Sequence, residues 1–415
     1  MKALVDSLIR NKIPLLLLAL VVTLLALHHR RPDALINAQF WMEDGEIFFL
    51  ESYKYGFLSF FIPYAEYVHV FPRTISIIGH YLVPILYIPL FYNILSLTTF
   101  LLTVVYIWFR GPDNKITALL MVFALTLLPV HNEVFMNITN QQWSLALVLL
   151  IPLCYKSHSK ACSVFDACIV LIIGLTGPFS TIFYPIVVVS YYYMRDEFKE
   201  QPHLKFPFYT YTFAAFLQLA LILFFPLERS AGKISFLHLV QASSQIFYQQ
   251  FALLTTIKDF IYVKSSLTIF LGVMFLVIVF ISTLLSFRYY LKTKKITPFV
   301  FLSAILLMFL STIYGYRNNP EMVDPISTDR YFYISSVALF WALFYFIENK
   351  KYLQYTALTG FALIFFFKAE IIPVKIFRDM HWEKYVQKFE GKEPFEIPIN
   401  PPDRGWIIKI VPKNN

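Results

Sequence analysis

Eleven apolar runs divide the 415-residue chain, and together they carry a single acidic residue, Asp166. They cover positions 13–27, 89–109, 116–130, 144–153, 164–176, 182–194, 206–226, 266–287, 298–312, 331–347 and 352–367. A helix crossing a hydrocarbon core of about 30 Å needs about 20 apolar residues. In lipid every backbone N–H and C=O must be satisfied within the structure itself, which restricts a chain of this kind to helices or a closed barrel. Runs this long without strand-like alternation select helices. The expected fold class is therefore an all-α polytopic membrane protein with about 11 transmembrane helices. Composition agrees, since only 15% of residues are charged and 58% are hydrophobic, whereas a soluble domain is about 25% charged. The lipid bilayer is the first partner implied. The net charge of +9 reports topology in such a chain, so no nucleic-acid partner is expected. Cys154, Cys162 and Cys168 lie in or beside apolar runs and suit packing, not a disulfide framework.

The charges orient the runs. Lys2, Arg10 and Lys12 precede the first run, and His28-His29-Arg30-Arg31 follows it in place of a small-residue cleavage site. That pattern predicts a retained first helix with a cytoplasmic N-terminus. Eleven crossings then put segments 1–12, 110–115, 156–162, 195–205, 288–296 and 348–351 inside, with 16 basic and 6 acidic residues. Segments 28–88, 131–143, 227–265 and 313–330 fall outside, with 10 basic and 12 acidic residues. The bias follows the positive-inside rule. The count requires that 74–88, interrupted by His80 and Pro84, lies at the outer face instead of crossing. The chain divides into a transmembrane domain, 1–368, whose first extracytoplasmic loop is 28–88, and a short extracytoplasmic C-terminal tail, 369–415. The tail begins as an amphipathic helix over 376–389 and becomes Pro-rich and strand-like around Trp406-Ile407-Ile408. Its Lys375, Arg378 and Lys384 run against the charge rule.

Residues capable of chemistry gather in the outward loops. The first holds Trp41-Met42-Glu43-Asp44-Gly45-Glu46. Adjacent carboxylates beside aromatic rings raise one another's pKa and suit a general base, and the alternative is an acidic helix start. Farther on, Tyr64, Glu66, Tyr67, His69 and Arg73 stand among Pro63 and Pro72. They form a wall able to stack on a sugar or meet a phosphate, or an aromatic belt with a snorkelling arginine. His69 has no second ligand at metal spacing. The second loop packs Glu133, Asn137, Asn140, Gln141, Gln142 and Trp143 between short apolar runs. Polar residues so dense at membrane depth are expensive unless they line a wet cavity, and carboxamides match sugar hydroxyls. Thr176-Gly177-Pro178-Phe179-Ser180 reads as a turn. Late in the chain, Arg317, Asp329, Arg330 and Tyr331 could meet a lipid phosphate or form a surface charge cluster.

Trp41-Met42-Glu43-Asp44-Gly45, Pro63-Tyr64 to Pro72-Arg73, Asn140-Gln141-Gln142-Trp143, Gly177-Pro178-Phe179 and Asp329-Arg330-Tyr331 resemble an uncharacterised bacterial branch of the GT-C class. That class comprises polyprenyl-phosphate-dependent membrane glycosyltransferases. The resemblance extends to layout, with one helix, a long outward loop bearing an acidic pair, then many helices. It implies a polyprenyl-phosphate-linked sugar donor and a glycan or glycolipid acceptor of the cell envelope. It also implies a catalytic base at Asp44 or Glu43, and multi-pass residence in the plasma membrane. The departing lipid phosphate is a weak base, so the enzyme needs a carboxylate for the acceptor's proton and a cation for the leaving charge. Arg73, Arg317 and Arg330 are the candidate cations, and inversion is the expected outcome. No third ligand accompanies Glu43 and Asp44, so no metal cofactor is expected.

Three other readings compete. A transporter or flippase for lipid-linked sugars would need ionisable residues near the midplane or repeated broken helices, and the sequence offers only His80 and Asp166, near membrane edges. An O-antigen polymerase or ligase would place its key loop late in the chain. A non-enzymatic accessory subunit is compatible with every feature above.

Overall fold

The computed structural model describes residues 12–128, 132–225, 266–293, 295–316, 329–372, 374–391 and 393–411. The chain is a mostly helical, membrane-embedded protein. Among the described residues five stretches are long and apolar enough to cross a bilayer: Ile13–Arg30, Ile85–Arg110, Pro202–Phe224, Phe270–Thr293 and Thr297–Tyr314. The main helices are α1 (Lys12–Arg30), α2 (Leu50–Tyr55), α3 (Val70–Leu82), α4 (Ile88–Arg110), α5 (Lys115–Leu127), α6 (Gln141–Val148) and α7 (Lys160–Gly174). They continue as α8 (Tyr184–Met194), α9 (Phe206–Phe224), α10 (Ser266–Thr293), α11 (Thr297–Tyr316), α12 (Tyr333–Phe346), α13 (Lys351–Phe366) and α14 (Trp382–Val386). Each apolar run coincides with a helix. The run at 144–153 is broken into α6 and the single turn Ile151–Cys154, because Leu149 and Leu150 bond three residues back.

Helix α5 sits at the centre. Asn114 caps it, its side chain accepting from Ile116 N at 3.0 Å and Thr117 N at 3.3 Å, which satisfies two of the end's free donors. Every residue from Ile116 to Leu127 is buried, as a helix apolar on all sides must be. Helices α1, α4, α12 and α13 surround it. Their polar groups reach its carbonyls: Trp341 Nε1 donates to Met121 O at 2.9 Å and Tyr333 Oη to Leu125 O at 3.0 Å. Arg30 donates to Thr126 O and to Leu128 O. Arg30 therefore closes one end of the bundle.

Asp166, the lone acid of the apolar runs, is fully buried near the opposite end. Arg110 holds it with Nε at 2.9 Å and Nη2 at 2.5 Å, while Tyr106 and Ser157 donate to the same carboxylate. Burying both charges is tolerable because every lone pair has a donor.

Helix α3 has 13 residues, about 20 Å, and is not among the long apolar helices. It stops before Pro84, which cannot continue a helical ladder. A 3-10 turn, Ile85–Tyr87, then leads into α4.

The tail is not a separate layer. β1 (Phe395–Pro398) pairs antiparallel with β2 (Ile407–Ile410), Phe395 opposite Ile410. Ile397, Ile399, Ile408, Ile410 and Trp382 share one small core with Phe40, Phe48, Phe49 and Ile75 of the first loop. Residues 369–411 thus complete the cap that loop 28–88 begins at the Arg30 end. The 227–265 loop lies outside the described residues.

Candidate functional site

The acidic pair is positioned by the tail. Met42 N donates to Asn400 O at 2.7 Å, and the Asn400 side chain bonds the backbone of Arg378 in both directions at 2.9 Å. Asp44 begins a π-helix, Asp44–Phe49, a wide turn that re-aims side chains. A Cβ on Gly45 would fall 2.8 Å from Ile399 Cδ1 and 3.0 Å from Ile408 Cδ1. Only a glycine there lets the hairpin lie directly on the turn.

The two acids have different surroundings. Asp44 is 2% exposed and is filled with donors. Ile138 N reaches Oδ2 at 3.1 Å and Thr139 N reaches Oδ1 at 2.9 Å, with the Thr139 hydroxyl also on Oδ1. Burial outweighs these bonds and pushes its pKa up to about 7. Asp44 thereby latches the first loop to the second. Glu43, 8% exposed, has one carboxylate oxygen, Oε2, with no hydrogen-bond partner. Burial raises its pKa, Arg330 opposes the rise, and Glu133 adds to it. A buried acceptor without a partner is costly in a folded protein, so Glu43 is the carboxylate with capacity to spare.

Opposite Glu43 stands a charged cluster. Glu133 Oε2 lies 3.2 Å from Arg330 Nη1, and its Oε1 lies 3.3 Å from Lys375 Nζ. Lys375 sits 4.1 Å over the Trp41 ring, which stacks on Phe377 at 4.9 Å, and Arg31 covers the far side of Phe377 at 3.4 Å. On the other flank Arg330 Nη2 donates to Tyr331 Oη at 3.2 Å. Tyr331 meets Trp143 edge to face at 5.1 Å, and Trp143 meets Phe179 at 5.1 Å. An unbroken chain of contacts therefore runs Trp41, Lys375, Glu133, Arg330, Tyr331, Trp143. Along it Trp41 Nε1 and Trp143 Nε1 have no partner, nor does the nearby Asn140 Nδ2. Three buried N–H donors, one open carboxylate and two cations make a surface suited to hydroxyls and a phosphate.

The remaining predicted residues divide into neighbours and supports. Tyr64 is a neighbour, since burial and then the charge of Glu43 raise its pKa. Tyr67 and half-buried Glu66 complete that bend, whose backbone is left-handed at Ala65 and Glu66. His69 is a support. Its Nε2 donates to Tyr64 O at 3.1 Å, and burial followed by the Arg73 charge lowers its pKa to about 3, so the ring is neutral. Arg73, expected as a leaving-group cation, is instead committed to Glu51 and to Ile62 O at 2.9 Å. It is 0% exposed. Asn137 ties its own loop, donating to Glu133 O at 2.8 Å and accepting from Asn140 N at 2.8 Å. Gln141 is bonded to Ser96 and Ser144. Gln142 packs on Gly177, where a Cβ would stand 2.3 Å from its Oε1. Asp329 opens the 3-10 turn Asp329–Phe332 that carries Arg330. Arg317 lies outside the described residues.

Two residues of this arrangement escape sequence reasoning. Lys375 left a trace, as a basic residue on the wrong side of the charge rule. Gln218 of α9 left none: it accepts from Val68 N at 3.1 Å and donates to Val68 O at 3.0 Å and Gly177 O at 3.1 Å. Among the described residues no three His, Cys, Asp or Glu side chains gather as a metal site. No family model matches the chain, and neither does any curated protein or solved structure.

Proposed function

We propose that the chain is a GT-C-like glycosyltransferase. It would move a sugar from a polyprenyl-phosphate donor to a cell-envelope glycan or glycolipid at the outer face of a plasma membrane, with inversion. The observation that carries this reading is the buried Glu43 carboxylate, with an oxygen unpartnered, beside the Arg330–Glu133–Lys375 cluster at the capped end of the bundle. In this reading Glu43 takes the proton from the acceptor hydroxyl as that oxygen attacks the anomeric carbon. The bond from the anomeric carbon to the phosphate oxygen breaks, and Arg330 and Lys375 receive the leaving charge. Dispersed positive charge aimed at a departing phosphate lowers the barrier where charge develops. Trp41, Trp143 and Tyr64 supply rings and donors for the sugar. Eleven crossings with a cytoplasmic N-terminus put this end outside, where lipid-linked envelope sugars are consumed.

The deciding experiment is release of polyprenyl phosphate by purified protein in liposomes. A panel of polyprenyl-phosphate sugars is offered to wild type, Glu43→Gln and Asp44→Asn. Release that Glu43→Gln abolishes in folded protein supports the reading. Absence of release from folded wild type with every donor favours a transporter or an accessory subunit.

A further inference from the structure

A second feature lies on the flank of the bundle. Helix α1 presents Leu15, Leu18, Val22, Leu25 and His29 at three- and four-residue spacing, which keeps them on one face. Leu15, Leu18 and Val22 line a cavity of about 410 Å³ between α1, α5 and α13, walled also by Leu119, Leu358 and Phe361. Among the described residues Tyr355 is the only polar side chain in its lining. Leu18 is 47% and Phe366 77% exposed, so the cavity is a groove open to the side of the bundle. Leu25 and His29 continue the stripe into a second cavity of about 310 Å³ at the Arg30 end, with His28 and Lys368. Two cavities therefore follow one another along one helix face, the apolar one first and then one that carries an ammonium and two imidazoles.

We infer that this groove binds an anionic glycerophospholipid, one acyl chain lying between α1, α5 and α13 and its phosphate held at His28 and Lys368. The lining decides the chemistry at each end. Hydrocarbon alone suits walls of Leu, Val and Phe. Among the described residues no carboxylate lines either cavity, and Lys368 brings a positive charge. His29 Nε2 lies 3.1 Å from Lys368 O and 3.3 Å from Ile372 O, which fixes the segment bearing the lysine against α1. Length selects the occupant. From Leu15 to His28 is about 20 Å of helix, comparable with the half of a ~30 Å core that one acyl chain spans. A polyprenyl chain is much longer and would run out past Leu15. The site is independent of the proposed transfer chemistry, although Lys375 N donates to Arg30 O at 2.9 Å, so a lipid joining α1 to α13 also steadies the segment leading to Lys375.

The test uses full-length protein in nanodiscs of equal phosphatidylglycerol and phosphatidylcholine, with retained lipid counted by native mass spectrometry. The expected result is one retained phosphatidylglycerol, enriched about tenfold over phosphatidylcholine. Lys368→Glu with His28→Glu removes the enrichment, and Leu18→Trp or Leu358→Trp lowers retention of both lipids while melting stays cooperative. Equal retention of the two lipids overturns the proposal, as does enrichment unchanged in the charge-reversed variant. Displacement by polyprenyl phosphate at one tenth of the phosphatidylglycerol concentration overturns the choice of occupant. Should the tryptophan variants fail to fold, the charge reversal at half-exposed Lys368 and exposed His28 decides alone.

Discussion

Glu133 and Lys375 meet at 3.3 Å although 242 positions separate them, and the other Glu133 oxygen takes Arg330 at 3.2 Å. One carboxylate thus holds two cations side by side against their mutual repulsion. With Glu43 nearby the cluster is close to neutral when empty, and an arriving phosphate would compete with Glu133 for both cations. Lys375→Ala is expected to lower polyprenyl-phosphate release by about 10²-fold, the scale for losing one charge-stabilising group. Lys375→Arg retains much of the rate. Steady-state kinetics of the two variants, with melting curves in parallel, checks this; equal rates in Lys375→Ala and wild type would remove the lysine from the mechanism.

In the proposed reading the acidic pair separates into a base, Glu43, and a latch, Asp44. Asp44→Asn replaces an acceptor of three donors with an amide whose NH₂ must face a backbone N–H or the Thr139 hydroxyl. It is expected to cost about 1–3 kcal/mol of stability. Glu43→Gln gives up the attraction to Arg330 but takes no hydrogen bond from Oε2, which has no partner to lose. Its melting temperature stays level or rises while transfer falls by about 10²–10⁴-fold, the contribution of a general base. The opposite pattern would assign the base to Asp44.

Acidity divides the same pair in a second way. Burial raises Glu43 above the ordinary glutamate value, so the carboxylate a base requires is lost as pH falls through a pKa above about 4.3. Transfer should therefore show an acid limb at higher pH than a free glutamate would give. Asp44, raised to about 7 in the folded protein, binds its proton more tightly folded than unfolded. Its contribution to stability is complete below about pH 4 and is lost as pH rises toward 7. The melting advantage of wild type over Asp44→Asn should accordingly be larger at pH 5 than at pH 8. A constant gap across that window would mean that Asp44 stays ionised throughout.

How much of this was legible in the sequence follows from the distance over which each cause acts. Apolar runs announce themselves because lipid requires each segment to satisfy its own backbone, and the described part of every run is mainly helical. The adjacency of Glu43 and Asp44 pointed to the candidate site, since like charges perturb neighbours whatever the fold. Which of the two is free could not be read, because the answer lies with Ile138 N and Thr139 on another loop. Arg73 looked like a phosphate ligand for the same reason: Glu51 is 22 positions away and meets it only once α2 and α3 have packed. Lys375 reaches the candidate site on a segment held by its own N–H on Arg30 O and by Asn400 on Arg378, all long-range contacts. Its only local sign was a charge on the disfavoured side.

Gly177 tests the turn that supports Trp143 and Phe179. Its φ is +92°, and a Cβ would stand 2.3 Å from Gln142 Oε1. Gly177→Ala is expected to lose about 1–2 kcal/mol from the left-handed backbone alone. Displacement of Gln142 adds to that. Denaturation in a mild detergent measures it, and an unchanged midpoint would show that the turn relaxes freely.

Arg110 and Asp166 provide the last test, one of the bundle itself. They form a buried charge pair, joined at 2.5 Å with Tyr106 and Ser157 completing the carboxylate. Removing either partner strands a buried charge, so Asp166→Ala and Arg110→Met are each expected to cost about 3–5 kcal/mol. The double variant strands neither, and apolar side chains of similar volume often replace a buried pair at little cost. Its stability should recover most of the loss, which gives a large coupling energy in a double-mutant cycle. Additive losses would mean that water reaches the pair and that each charge is solvated separately. Because this end is remote from Glu43, transfer by the double variant should match wild type per folded molecule, which separates the scaffold from the chemistry it carries.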